Sequence, residues 1–208
     1  MLTIALPKGR IADETLDRFE KAFGEKFVFE DRKLILEKSG FKFLNVRNQD
    51  VPTYVMHGAA DLGVVGLDVL EEKEYDLIKL LDLKLGRCKV AFGLRAGEKL
   101  NFDKSKITIA TKHEKIAKKY FEQKAMAVEI IKLYGSIELA PLVGLCDCIV
   151  DIVETGRTLK ENKLIEVAHI ANATARFIAN RVSFKMKFDR INQMVEDLRY
   201  IVESESKK

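Results

Sequence analysis

The sequence predicts an α/β protein with largely parallel sheets, and two observations carry that prediction. Short apolar runs alternate with stretches of helical period along the whole chain, ending in glycine, proline or charge where a strand would meet a helix. Of the 208 residues, 47% are hydrophobic and 33% charged, a folded globular composition far from the polar, highly charged chains that stay disordered.

Residues 2–6 read as a strand that Pro7 ends. Over residues 11–23, Ala12, Leu16, Phe19 and Phe23 fall on one helical face, and Gly24 closes that helix. Residues 34–36 and 41–46 read as strands around a tight Ser39-Gly40 turn. After Pro52 a helix carries Tyr54 and Val55, with Gly58 at a left-handed cap. Residues 62–66 form a buried strand that runs into a helix starting at Leu67 or Asp68.

The alternation restarts with strands at 88–94 and 106–110. Thr111-Lys112-His113-Glu114 has the spacing of a capping box and predicts a helix from there to Gln123. Residues 128–132 are a further strand, residues 145–153 the most apolar strand, and residues 155–162 a turn and helix. In the last third Phe188, Ile191, Val195, Leu198 and Val202 recur at helical spacing, giving a long helix with one packing stripe. There is no Pro/Gly/Ser-rich linker and no internal repeat, so any two lobes must be joined by short ordered crossings.

Composition excludes several function classes. The net charge of +4 is spread along the chain without a block of like charge, so no nucleic-acid stripe is expected. No apolar stretch approaches the roughly 20 residues that would span a bilayer, and no secretory leader is visible, which predicts a cytoplasmic protein without membrane partners. Cys88, Cys146 and Cys148 read as buried strand thiols. Cys146-Asp147-Cys148 is too closely spaced for zinc, and His57, His113 and His169 are scattered, so no direct metal ligation by the protein is expected.

The strongest chemical signal is the run from Cys148 to Leu159. An apolar strand ending in Asp151 and Glu154 is followed by Thr155-Gly156-Arg157-Thr158 opening a helix. Hydroxyls and backbone N–H groups then converge at a helix N-terminus, which makes a phosphate cradle. Gly156 lets the backbone approach a ligand, Thr155 and Thr158 donate hydrogen bonds, and Arg157 adds charge. Asp151 or Glu154 would face sugar hydroxyls or a magnesium ion carried with phosphate. The plain structural alternative is a strand–turn–helix with Thr155 as N-cap. Lys8-Gly9-Arg10 follows the first strand, where open α/β sheets bind ligands, and a solvated turn has no use for both cations. Weaker junctions are residues 134–141, with Ser136 and Glu138, and residues 50–68, ending in Asp68.

Leu6-Pro7-Lys8-Gly9-Arg10, the 50–68 block, Gly135-Ser136-Ile137-Glu138-Leu139-Ala140-Pro141 and the 147–162 segment together resemble the catalytic subunit of the ATP phosphoribosyltransferase family, in the family's order and across nearly the whole chain. The resemblance implies a two-lobed type II periplasmic-binding-protein-like fold with the active site in the interlobe cleft. The first lobe would be discontinuous, residues 1–87 plus 172–208, and the second would span 88–171. It implies transfer of phosphoribosyl from phosphoribosyl pyrophosphate to N1 of ATP, giving 1-(5-phosphoribosyl)-ATP and pyrophosphate, the first step of histidine biosynthesis. Residues 151–159 would hold the 5-phosphate and ribose of the donor.

The resemblance also places Arg32 and Arg47 beside the reacting groups as catalytic arginines that stabilise departing pyrophosphate, a task suited to a permanently charged guanidinium. Lys8, Gly9, Arg10, Asp68, Ser136 and Glu138 would serve ATP or shared phosphates, with Mg2+ accompanying both substrates. N1 of adenine is already nucleophilic, so catalysis would rest on positioning and leaving-group stabilisation. The length is that of the short form, which implies a homodimer core joined to a regulatory subunit related to histidyl-tRNA synthetase in a hetero-octamer. Lys163 stands where the family usually has glycine, which weakens the expectation of a left-handed cap there, and Cys146 replaces a usual alanine. The competing readings are a non-catalytic two-lobe ligand-binding or sensor domain and another nucleotide-dependent transferase with the same phosphate cradle.

Overall fold

The computed structural model describes residues 1–73, 75–100, 104 and 106–206. In chain order the elements are β1 (Leu2–Pro7), α1 (Arg10–Phe23), β2 (Ile35–Lys38), β3 (Phe41–Val46), α2 (Val51–Met56), β4 (Leu62–Gly66), α3 (Leu67–Glu72), β5 (Ile78–Asp82) and β6 (Cys88–Arg95). They continue as β7 (Ile107–Thr111), α4 (Glu114–Glu122), β8 (Val128–Lys132), α5 (Leu139–Leu142), β9 (Cys148–Val153), α6 (Arg157–Glu161), β10 (Leu164–Ala173), β11 (Ala175–Ala179), α7 (Arg181–Met186) and α8 (Phe188–Ser206). Two compact units result. The first holds Met1–Leu70, Glu74–Gly86 and Thr174–Lys208, and the second holds Glu71–Lys73 and Arg87–Ala173.

The first unit is built on a six-stranded sheet of order β2-β3-β1-β4-β11-β5. Only β1 runs parallel to its neighbours β3 and β4; the β2/β3, β4/β11 and β11/β5 pairs are antiparallel. The sheet is therefore mixed, where largely parallel sheets were expected. β11 enters antiparallel between β4 and the edge strand β5 because the returning chain arrives from the other unit, without a crossover helix of this one. On one face α1 and α8 cover Leu2, Ile4, Leu6, Phe43 and Phe177. Phe19 of α1 sits at the middle, fully buried, edge-on to Phe41 and Phe43 at 5.5 and 5.2 Å. Such ring pairs add to burial, and truncating a buried Phe costs about 3–5 kcal/mol. α2 and α3 cover the opposite face through Val51, Val55, Val69 and Leu70.

The second unit has a five-stranded sheet of order β10-β6-β9-β7-β8, parallel at β7/β8 and β7/β9 and antiparallel at β6/β9 and β10/β6. α4 packs Ile116, Ala117 and Phe121 on one face. α5 and α6 pack Ala140 and Leu159 on the other.

Several local expectations need correction. The strand predicted over 145–153 starts at Cys148, because the Asp147 carboxylate turns to the start of β7 and accepts from Thr108 N at 2.9 Å and Thr108 Oγ1 at 2.8 Å. Cys146 is consequently buried ahead of β9 and not in a strand, and Cys88 is half-buried. Thr111 makes no capping box. It ends β7, and its hydroxyl accepts from His113 N, while the first turn of α4 is capped from a distance by Glu72, whose carboxylate accepts from Lys115 N at 3.0 Å. Lys163 does adopt a left-handed backbone, with φ 56°. The sequence reading passed over β5, β10 and β11; in β10, register shifts at 166–168 and 169–171 blur the period of two.

Candidate functional site

At the first sheet, parallel pairing aligns the carboxyl ends of β1, β3 and β4, with Pro7 opposite Val46 and Ala5 opposite Gly63. Lys8 and Gly9 follow β1, and Lys8 N donates to Val46 O at 2.8 Å, tying this loop to the one that carries Arg47. Gly9 holds φ 91°, which a Cβ would strain, and caps α1. Arg10 opens α1 with Nε 3.4 Å from Glu14 Oε1. Asp68, buried in the first turn of α3, lies after β4, and a Cβ on Gly66 would push its carboxylate aside, so glycine at the end of the strand leaves that carboxylate its place. β2 is antiparallel to β3, with Ile35 opposite Leu44, so the turn before β2 returns Arg32 to the same edge with φ 57°. Lys8, Arg10, Arg32 and Arg47 thus crowd one edge of one sheet, all exposed.

The second sheet carries a pocket of about 400 Å3. Its position follows from topology. From β7 the chain turns through α4 to β8 on one side, and from β9 it turns through α6 toward β10 on the other. The carboxyl ends of the parallel neighbours β7 and β9 therefore flank the point where the connections diverge, where open α/β sheets leave a crevice. Asp151, Glu154, Thr155, Gly156 and Thr158 line it, with Glu138 from the loop before α5 and Lys112 from the end of β7.

Gly156 is left-handed, φ 74° and ψ 2°, and serves as N-cap of α6, so the Thr155 N-cap alternative does not hold. The Thr155 hydroxyl accepts weakly from Arg157 N at 3.4 Å. Asp151 keeps only 13% of its side chain exposed, and burial pushes its carboxyl above the usual range. The Lys112 ammonium 3.3 Å away and the Ile152 amide at 2.8 Å work against that shift, while Glu138 adds to it. Beside them burial, then Lys112, pushes the His113 imidazole down to about 4, so Lys112 supplies the positive charge at the end of β7.

Of the sequence-predicted residues in the second unit, two do not line this pocket. Arg157 points its guanidinium at Glu161, 2.7 Å away, and Ser136, left-handed at φ 49°, is exposed ahead of α5. Lys112 was missed. The signal for it was the same as for Lys8, a cation directly after a strand, but Thr111-Lys112-His113-Glu114 read as a helix start. Among the described residues no cluster of His, Cys, Asp and Glu could cage a metal ion, and no helix is long and apolar enough to cross a membrane.

The profile of the family described as HisG: ATP phosphoribosyltransferase matches residues 47–200. A Wolinella succinogenes protein named ATP phosphoribosyltransferase is 65% identical over 194 residues, covering 93% of this chain and 94% of its own. A Sulfurovum sp. protein of the same name is 60% identical over 204 residues, covering 98% and 99%. A chain of the ATP phosphoribosyl transferase (HisG:HisZ) complex from Thermotoga maritima superposes with a TM-score of 0.84 at 37% identity, covering 98% of this chain and 100% of that one. The periplasmic aliphatic sulphonate binding protein SsuA from Escherichia coli, 11% identical, gives a TM-score of 0.64 over 99% of this chain and 70% of its own, a likeness of fold. The fold is thus the α/β type shared with periplasmic binding proteins.

Proposed function

Because this chain belongs to the ATP phosphoribosyltransferase family, we propose that the pocket at the ends of β7 and β9 is its phosphoribosyl pyrophosphate site. The reaction itself is the family's: phosphoribosyl passes from phosphoribosyl pyrophosphate to N1 of ATP, releasing pyrophosphate, as the first step of histidine biosynthesis. The observation that carries the site assignment is the 151–159 loop, which lines the pocket with two carboxylates, two hydroxyls and a left-handed glycine. In this reading Thr155, Gly156 and Thr158 take the 5-phosphate, Arg157 adds long-range charge, and Asp151 and Glu154 accept from the ribose hydroxyls.

Lys8, Gly9 and Arg10, with Asp68, Ser136 and Glu138, receive ATP or shared phosphates, and Arg32 and Arg47 are the catalytic arginines. Their charge is most useful when it meets the charge growing on pyrophosphate as the C1–O bond breaks and the N1–C1 bond forms with inversion. The pocket lining sets Asp151, Glu138 and Glu154 against Lys112 alone, so a polyanionic donor would be repelled unless it brings a divalent cation. Mg2+ fits that role, held mainly by the substrate's own phosphates with Asp151 or Glu154 nearby. Bound there, it would neutralise phosphate charge and favour departure of pyrophosphate.

The Thermotoga maritima structure is of a HisG:HisZ complex, and a similar chain here supports a regulatory partner subunit. We infer a homodimer core within a hetero-octamer, the partner related to histidyl-tRNA synthetase, working in the cytoplasm. The near-ultraviolet absorbance of phosphoribosyl-ATP tests the reading, with chain, ATP, phosphoribosyl pyrophosphate, Mg2+ and pyrophosphatase, with and without the partner. Turnover that becomes histidine-sensitive only with the partner supports it. Tight binding of both substrates without turnover would favour a ligand-binding module.

A further inference from the structure

We propose that Lys112 binds the diphosphate of the phosphoribosyl donor, releasing Asp151 to the ribose when the donor arrives. This rests on the pocket being the donor site.

The backbone around Lys112 is fixed on both sides. Thr111 is fully buried, its carbonyl accepts from Leu133 N at 3.0 Å, and its hydroxyl accepts from His113 N at 2.9 Å. His113 is buried as well, and its carbonyl accepts from Ala117 N at 2.9 Å at the start of α4. A lysine between two such anchors has little freedom to wander, and 27% of its side chain is exposed, against 49% for Lys104 and 67% for Lys118. Its ammonium is held 3.3 Å from Asp151 Oδ1, at the wall of the pocket.

Direction along the pocket then decides which phosphate it meets. The 155–158 loop lies at the far end of the 151–159 run and takes the 5-phosphate in the reading above. Asp151, at the near end, faces the ribose hydroxyls. On ribose the C2 hydroxyl adjoins C1, which carries the diphosphate, so a cation beside Asp151 stands on the C1 side. A buried carboxylate and an ammonium pair well with each other, but a diphosphate offers the ammonium more charge than one carboxylate does. The donor can therefore take Lys112 from Asp151, and Asp151 is left to accept from the sugar hydroxyls. No bond is made or broken in this exchange.

The test uses the full chain, with its partner subunit if turnover requires it, and the variants Lys112→Met and Lys112→Arg. Titration calorimetry measures Mg2+–pyrophosphate and ribose 5-phosphate separately, and steady-state kinetics gives KM for each substrate. Losing one charged contact should weaken Mg2+–pyrophosphate by about tenfold or more. Ribose 5-phosphate should bind no more weakly than to the parent, since Asp151 is then free to accept from the sugar; KM for the donor should rise while KM for ATP holds, and Lys112→Arg should recover most of the loss. Unchanged pyrophosphate affinity in Lys112→Met overturns the proposal. So does an equal loss of ribose 5-phosphate, or a loss that Lys112→Arg fails to recover, since a purely structural counter-ion would give those results. A parent protein that binds neither ligand would instead overturn the assignment of the pocket itself.

Discussion

Replacing Gly156 by alanine separates the two jobs of the 151–159 loop. Gly156 holds φ 74°, and a Cβ built there has one neighbour within 4 Å, Val153 Cγ1 at 3.9 Å, an ordinary contact. Sterics beyond the residue itself therefore contribute little, and the cost is the left-handed backbone alone, about 1–2 kcal/mol for a residue with a Cβ. In a chain of this size that corresponds to a fall in Tm of about 2–8 °C. If the loop instead relieves the strain by moving, Tm recovers, but Thr155 and Thr158 leave their places and KM for phosphoribosyl pyrophosphate rises by about tenfold or more. Thermal melting and steady-state kinetics with each substrate varied in turn read both limbs. Gly97→Ala is the control, since Gly97 has φ 86° and open space around its Cβ position and lies outside the pocket lining, so it should lower Tm alone. Gly156→Ala with unchanged Tm and unchanged donor KM would refute the reasoning.

Arg32→Ala should lower kcat more than it weakens binding of either substrate, as expected of a group that meets charge arising only during transfer; an unchanged kcat removes Arg32 from the chemistry. Asp61 is buried, which alone would raise its carboxyl, but the Lys187 ammonium, 2.8 Å from both oxygens, and the Thr3 amide at 2.9 Å hold it below the usual value. A depressed carboxyl contributes stability that is fully present above its unfolded pKa and is lost as pH falls through the folded one. Asp61→Asn should thus cost about 1–3 kcal/mol at neutral pH, the gap closing below about pH 4, by urea unfolding at both pH values. Glu72→Ala removes the carboxylate that caps α4 at Lys115 N and Ile116 N, and should cost about 0.5–2 kcal/mol, read as faster amide exchange across the first turn of α4.

Local signals in the sequence located most elements that carry the site. Gly24, Gly58 and the Ser39-Gly40 pair mark turns because their backbones are left-handed, with φ of 71°, 73°, and 49° and 79°, and such turns leave a direct trace in residue type. The 151–159 loop was legible for the same reason. Features set by partners distant in sequence were not legible. Asp147 ends the apolar run before β9 by bonding to Thr108, 39 residues away, and Glu72 caps α4 from 43 residues away. Both made a local pattern read wrongly, the first as a longer strand and the second as a capping box. Lys112 was lost with the capping box, since its importance comes from the pairing of β7 with β9, which sets it beside Asp151. Lys163 shows the opposite limit, a residue that takes φ 56° although its type argues against it, with Ala96 N bonded to its carbonyl at 2.8 Å.

A crystal structure of the chain with phosphoribosyl pyrophosphate and Mg2+ bound tests the central claim most directly. The account predicts the 5-phosphate against the hydroxyls and backbone N–H groups of residues 155–158, with the ribose hydroxyls on Asp151 or Glu154. A 5-phosphate seated on Lys8, Gly9 and Arg10, with the 155–158 loop making no contact to the donor, would contradict it.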